Sequence, residues 1–147
     1  MKLSNEYIRG LVDGEGCFTF YTSQTIRNGR VVKIRIPAFA ISMHERDRAL
    51  VEAVRDSLGV NNRVYNFRSP RYGGSLRGNK VVLVVRKFSS LKNVIVPFFY
   101  KKLKGNKGLQ FINWLEKIGS DPMVPDIYKL LYRLHSSGYF EKNPKFV

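Results

Sequence analysis

Cysteine occurs once in the 147 residues, at Cys17, so no disulfide can form within the chain and a reducing, intracellular setting is the simplest expectation. No stretch approaches the ~18 consecutive apolar residues of a membrane span. The N-terminus has no apolar signal core, because a helical pattern begins almost at once, so neither a membrane partner nor secretion is expected. The two histidines, His44 and His135, have no spacing that suits a shared metal, and no internal repeat is visible. Acidic residues are few beside basic ones, 11 Asp and Glu against 26 Lys and Arg, which leaves a net charge of +15. Between Asp56 and Glu116 there is no acidic residue, against twelve basic ones; between Glu15 and Glu45 there is none, against Arg27, Arg30, Lys33 and Arg35. A surface that needs only solubility mixes its signs. The segregation therefore points to a polyanionic partner, a nucleic acid, rather than to generally solvated lysines.

Against that scarcity, the string Ile8-Arg9-Gly10-Leu11-Val12-Asp13-Gly14-Glu15-Gly16 places two acids where helix chemistry disfavours them. Ser4 is a fitting N-cap, Glu6 lies in the first turn, and Leu3 and Ile8 have the spacing of a hydrophobic staple, so a helix starts here. Gly14 and Gly16 end it. Asp13 and Glu15 then sit beside exposed carbonyls, at a cost of about 0.3–1 kcal/mol each, which a divalent cation would offset. Gly10 and Gly14 lie four apart on one face, and each costs about 1 kcal/mol relative to alanine. Close approach of a second copy of the helix, flanked by Leu11, would repay that and bring two Glu15 carboxylates together. The plainer alternative is a helix followed by a tight turn with acidic caps.

Downstream, Cys17–Ile26 and Val31–Ser42 are strand-like runs around Asn28-Gly29, a strong hairpin turn signal. A helix is predicted over Asp47–Leu58, with Gly59 as its C-terminal stop. Strands near Arg63–Arg68 and Val81–Lys87 flank a loop over Ser69–Asn79. Helical patterns follow before Pro97, up to Gly119, and over Ile127–Leu134. The order is αββαββα with a helical tail, and two hairpins beside helices make an antiparallel sheet with one face buried and one free. If Phe18 and Phe20 face the helices, period two turns Thr19, Tyr21 and Ser23 outward; Phe39 and Ile41 inward leaves Ala38 and Ala40 outward.

The string IRGLVDGEG resembles the signature of the LAGLIDADG homing endonucleases, with Gly10, Leu11, Asp13, Glu15 and Gly16 in matching places and Cys17-Phe18 also typical. Arg9 departs, standing where a small residue is usual, and Glu15 replaces an aspartate. The resemblance implies an α+β fold, one domain over residues 1–147 with its core at about 4–118 and a helical tail at about 122–140. An antiparallel β-saddle backed by helices would lie along the major groove of double-stranded DNA. One motif per chain implies a C2 homodimer through Gly10, Leu11, Asp13 and Gly14, with a palindromic or nearly palindromic target cut in both strands. Hydrolysis would use Mg²⁺ at Glu15 and Gly14, with Mn²⁺ able to substitute and Ca²⁺ supporting binding alone. Asp13 would cap the neighbouring motif helix. Lys107, four before Phe111, looks like the family's active-site lysine, with Lys104 in reserve. His44 would position a water or, more plainly, start a helix.

DNA contacts are expected from Thr19, Tyr21 and Ser23, from Arg27, Arg30, Lys33 and Arg35, and from Arg63, Tyr65, Arg68, Arg71, Arg77, Lys80 and Arg86. Whether each reads bases or phosphates is left open by the sequence. The location implied is wherever the target genome lies, a bacterial or archaeal cytoplasm or an organelle. The alternative is a non-cleaving binder of the same fold, an RNA maturase or a DNA-binding regulator.

Overall fold

The first helix, α1 (Asn5–Glu15), begins where the Ser4 hydroxyl accepts the Tyr7 N–H at 3.1 Å, and it turns Ile8 and Val12 fully into the core. The computed structural model describes residues 1–68 and 79–147; Arg71 and Arg77 lie outside the described residues. Strands β1 (Gly16–Arg27) and β2 (Arg30–His44) pair without interruption. Their turn places Asn28 and Gly29 at φ 52° and 75°, the two positive values of the hairpin turn whose twist matches that of the strands. A 3₁₀ turn, Glu45–Asp47, leads into α2 (Arg48–Leu58). That helix stops at Gly59, whose positive φ lets its N–H reach the Arg55 and Asp56 carbonyls.

Strands β3 (Val64–Phe67) and β4 (Lys80–Val85) complete an antiparallel sheet in the order β1-β2-β4-β3. Only Phe39–His44 of β2 pair with β4, so the rest of the first hairpin projects as a two-stranded ribbon. Next come α3 (Phe88–Ser90), a π-helical turn at Leu91–Ile95 and α4 (Val96–Phe99). Pro97 has no N–H to return to the Asn93 carbonyl, and Lys145 Nζ donates to that carbonyl instead, at 2.9 Å. Helices α5 (Asn106–Ser120), α6 (Asp126–Ser136) and α7 (Tyr139–Lys142) finish the chain.

The expected αββαββα order with a helical tail is observed. One boundary differs: Gly119 does not end its helix but continues within α5, because α6 presses on it. A Cβ there would lie 2.3 Å from the Tyr132 ring. The inner face of the sheet packs on the helices through Phe18, which touches Phe39, Phe99, Phe111 and Trp114 with ring centroids 4.8–5.8 Å apart. Among the described residues no helix is long and apolar enough to cross a membrane.

Candidate functional site

The two acids at the end of α1 have different surroundings. The Asp13 carboxylate accepts the Lys104 N–H at 3.0 and 3.1 Å and the Gly105 N–H at 3.1 Å. It thereby caps α5, whose own N-cap residue, Gly105, has no side chain to do so. Whereas the resemblance implies a cap on the neighbouring motif helix, the helix it caps within one chain is α5. The positive end of that helix offsets the repulsion Asp13 meets at the end of α1. Glu15 is exposed and, among the described residues, takes part in no ion pair or side-chain hydrogen bond.

The same joint brings the end of α1 to the start of α5. Lys107 is half-buried in the first turn of α5, and Lys104 is exposed with its N–H given to Asp13. No group of three or more His, Cys, Asp or Glu suited to a metal occurs among the described residues. One Glu15 carboxylate beside the Gly14 backbone is a set of hard oxygen donors, of the kind Mg²⁺ takes with water and phosphate oxygens. The donor type fits; a full set of ligands would need oxygens from outside the chain.

Gly10 and Gly14 are exposed, and a Cβ added at either would meet nothing within 4 Å. Among the described residues nothing packs on the glycine stripe, and half-buried Leu11 lies alongside. Arg9 turns the other way and is buried. Its Nε donates to the Phe98 carbonyl at 3.0 Å, its Nη1 to the Val147 main-chain oxygen at 2.7 Å, and its guanidinium lies 4.6 Å from the centre of the Phe98 ring. Burial pulls its pKa below the ordinary arginine value, against the opposite pull of Glu6. The bulky departure from a small residue is therefore accommodated inward, clear of the stripe. A cavity of about 570 Å³ lies beside it, lined by Glu6, Arg9, Gly10, Asp13, Lys102, Lys104 and Val147.

On the sheet, Val64, Val81, Leu83 and Val85 face the helices with Phe18 and Phe39, which leaves Thr19, Tyr21, Ser23, Tyr65, Phe67, Lys80, Val82 and Val84 on the outer face. Arg63 stacks over Tyr65 at 5.4 Å, and together with Tyr21, Asn62, Val84 and Arg86 they line a hollow of about 280 Å³. Arg27 and Arg30 pair across the exposed hairpin tip, and Arg68 is exposed just beyond β3.

Two candidates, whose face the sequence leaves open, lie on the inner side. Arg35 pairs with Thr22 and Lys33 with Gln24, so both share the helix side with Phe39 rather than the outer face. Arg35 Nη1 bonds Asp121 Oδ2 at 2.6 Å. The Met123 N–H first, and Arg35 second, hold the Asp121 carboxyl below its usual pKa. Ala38 and Ala40 are on the outer side as expected, yet only 0% and 7% exposed, because the middle strand is flanked by the side chains of its neighbours. The outer face of the ribbon's second strand is instead Val32, Ile34 and Ile36, which sequence reasoning missed; phasing β2 from Phe39 alone finds them. His44 starts a helix, its Nδ1 accepting the Arg46 N–H at 3.1 Å. His135 bridges Tyr100 Oη and Glu116 Oε1 at 2.7 and 3.0 Å within the helical packing.

Comparison with known proteins places these features together. A family model described as LAGLIDADG endonuclease matches residues 8–118. Among solved structures, the homing endonuclease I-TnaI is 26% identical, with a TM-score of 0.59, over 93% of this chain and 99% of that one. The I-LtrWI LAGLIDADG homing endonuclease bound to target DNA is 24% identical with a TM-score of 0.61, over 78% of this chain and 36% of that one. The LAGLIDADG meganuclease I-CpaMI bound to uncleaved DNA is 23% identical with a TM-score of 0.64, over 95% of this chain and 42% of that one. The chain thus spans less than half of those two longer chains, and their likeness is one of fold. No curated protein matches it.

Proposed function

The chain belongs to the LAGLIDADG endonuclease family, and from that premise we propose that it is a site-specific homing endonuclease. It hydrolyses both strands of a long palindromic or nearly palindromic DNA duplex as a C2 homodimer. The observation that carries this is the open glycine stripe beside a Glu15 that has no side-chain partner among the described residues. Crossing two α1 helices at Gly10 and Gly14 fills the stripe and sets two carboxylates side by side, one for each strand.

Glu15 and the Gly14 backbone hold a divalent ion, Mg²⁺ in the first instance, with Mn²⁺ able to replace it and Ca²⁺ supporting binding alone. When bound, that ion lowers the pKa of a water and stabilises charge on the phosphate. Lys107, in the first turn of α5, adds a cation beside the phosphate and orients the attacking water, with Lys104 in reserve. Asp13 is a positioning residue: its bonds to Lys104 and Gly105 tie acid and lysines into one unit. Arg27, Arg30, Arg63, Arg68, Lys80 and Arg86 bind phosphates and base edges along the outer face, together with Thr19, Tyr21, Ser23 and Tyr65.

A library of palindromic duplexes, incubated with the wild type and with Glu15→Gln in Mg²⁺ or Ca²⁺, tests this when the bound and cut pools are sequenced. The expected result is one symmetric site cut in Mg²⁺, with cutting lost and binding kept in Glu15→Gln. Selected binding without any cutting would replace the proposal by a non-cleaving regulator. No selected duplex, with preference for structured RNA in competition, would replace it by a maturase.

A further inference from the structure

Along the second strand of the ribbon, between Arg30 at the tip and Ser42, the outer face carries no hydrogen-bonding side chain. Val32, Ile34 and Ile36 stand opposite Thr25, Ser23 and Tyr21 across the hairpin, all three partly exposed. The row continues through Ala38 and Ala40, with Val84 beside Ala40 on β4. On either side the surface is polar and cationic: Thr19, Tyr21 and Ser23 on β1, Arg63 stacked on Tyr65 along β3, and Arg86 beyond β4. A long polyanion seated here meets cations at its edges and aliphatic groups along its middle.

The major-groove edges of duplex DNA offer one apolar group, the C5 methyl of thymine; guanine, cytosine and adenine present donors and acceptors. An isoleucine pressed against the O6 and N7 of guanine or the N4 of cytosine strips water from those atoms and returns no hydrogen bond. Against a thymine methyl the same side chain removes apolar surface from water on both sides. The row thus attracts one base and penalises the others.

We propose that Val32, Ile34 and Ile36 read thymine methyl groups, so that each half of the target carries T·A or A·T pairs beneath this row. The assignment rests on the reading of the outer face as a DNA saddle given above. Its test starts from whichever duplex the library selects in Ca²⁺ and replaces thymines one at a time by deoxyuridine, which removes the methyl group alone. Affinity should fall about fourfold per methyl at the positions under the row, and not at other thymines. Ile34→Ser and Ile36→Ser, checked for folding by circular dichroism, should each abolish the sensitivity at one position and keep it at the rest. The deoxyuridine series uses the unaltered protein, so it stands even if a variant misfolds. A selected site without thymines in either half, or one that tolerates deoxyuridine everywhere, overturns the methyl assignment while leaving DNA binding intact. Sensitivity unchanged in both serine variants overturns the residue assignment. Failure to select any duplex falls on the DNA reading itself.

Discussion

Replacing Asp13 by alanine removes the one side-chain cap found among the described residues for α5, a 15-residue helix whose N-cap is Gly105. Loss of an N-cap side chain costs about 0.5–2 kcal/mol. The Asp13 carboxylate serves two amides and is charged, which favours the upper half of that range, while its partial exposure trims it. An effect of about 1–2 kcal/mol corresponds to a fall in Tm of about 2–8 °C for a chain of this size. Asp13→Asn keeps an acceptor without the charge and should lose roughly half as much. The measurement is thermal and urea unfolding followed by circular dichroism in a chelating buffer, so that no divalent ion contributes. If Asp13→Ala unfolds like the wild type there, yet loses the extra stability that Mg²⁺ confers on the wild type, Asp13 is a metal ligand and the capping argument fails.

Gly10→Leu should fold, and its monomer should be no less stable than the wild-type monomer, since leucine favours a helix over glycine by about 0.8 kcal/mol and nothing among the described residues lies within 4 Å of a Cβ there, but it should sediment as a monomer and lose double-strand cleavage; a variant that still self-associates refutes the helix crossing. Gly119→Ala should cost about 1–3 kcal/mol by overpacking, because its Cβ would press on the Tyr132 ring. Most of that cost should disappear in the Tyr132→Ala background, as a double-mutant cycle in urea would show. Asp121 has a folded-state pKa held below the ordinary 3.8, so its contribution is complete above that value and lost as pH falls through the lower, folded one. Asp121→Asn should therefore flatten the dependence of unfolding free energy on pH in the acid range below about 4.

The local features were legible because their chemistry is local. Ser4 bonds a residue three positions away, Asn28-Gly29 needs only its own positive φ, and Gly59 supplies the same at the end of α2. The order of elements, and Phe18 and Phe39 as inner positions, followed from periodicity. The phase of β2 rests on Phe39 and Ile41 alone: Val31, Val32, Ile34 and Ile36 put apolar residues on both sides of the ribbon, where a two-residue period sets no phase of its own. The sequence counts Arg35 and Lys33 among the DNA contacts without assigning them a face, and the strand register sets both on the helix side.

The sequence by itself determined the helix that carries Glu15, the glycine stripe beside it and the segregation of positive charge, since spacing along one chain suffices for each. Tertiary structure alone decided what Asp13 caps, 91 residues away, which acid Arg35 meets, 86 residues away, and that Arg9 turns inward onto Phe98. Those choices come from which surfaces the packed core leaves adjacent, and separation along the chain says nothing about adjacency across it.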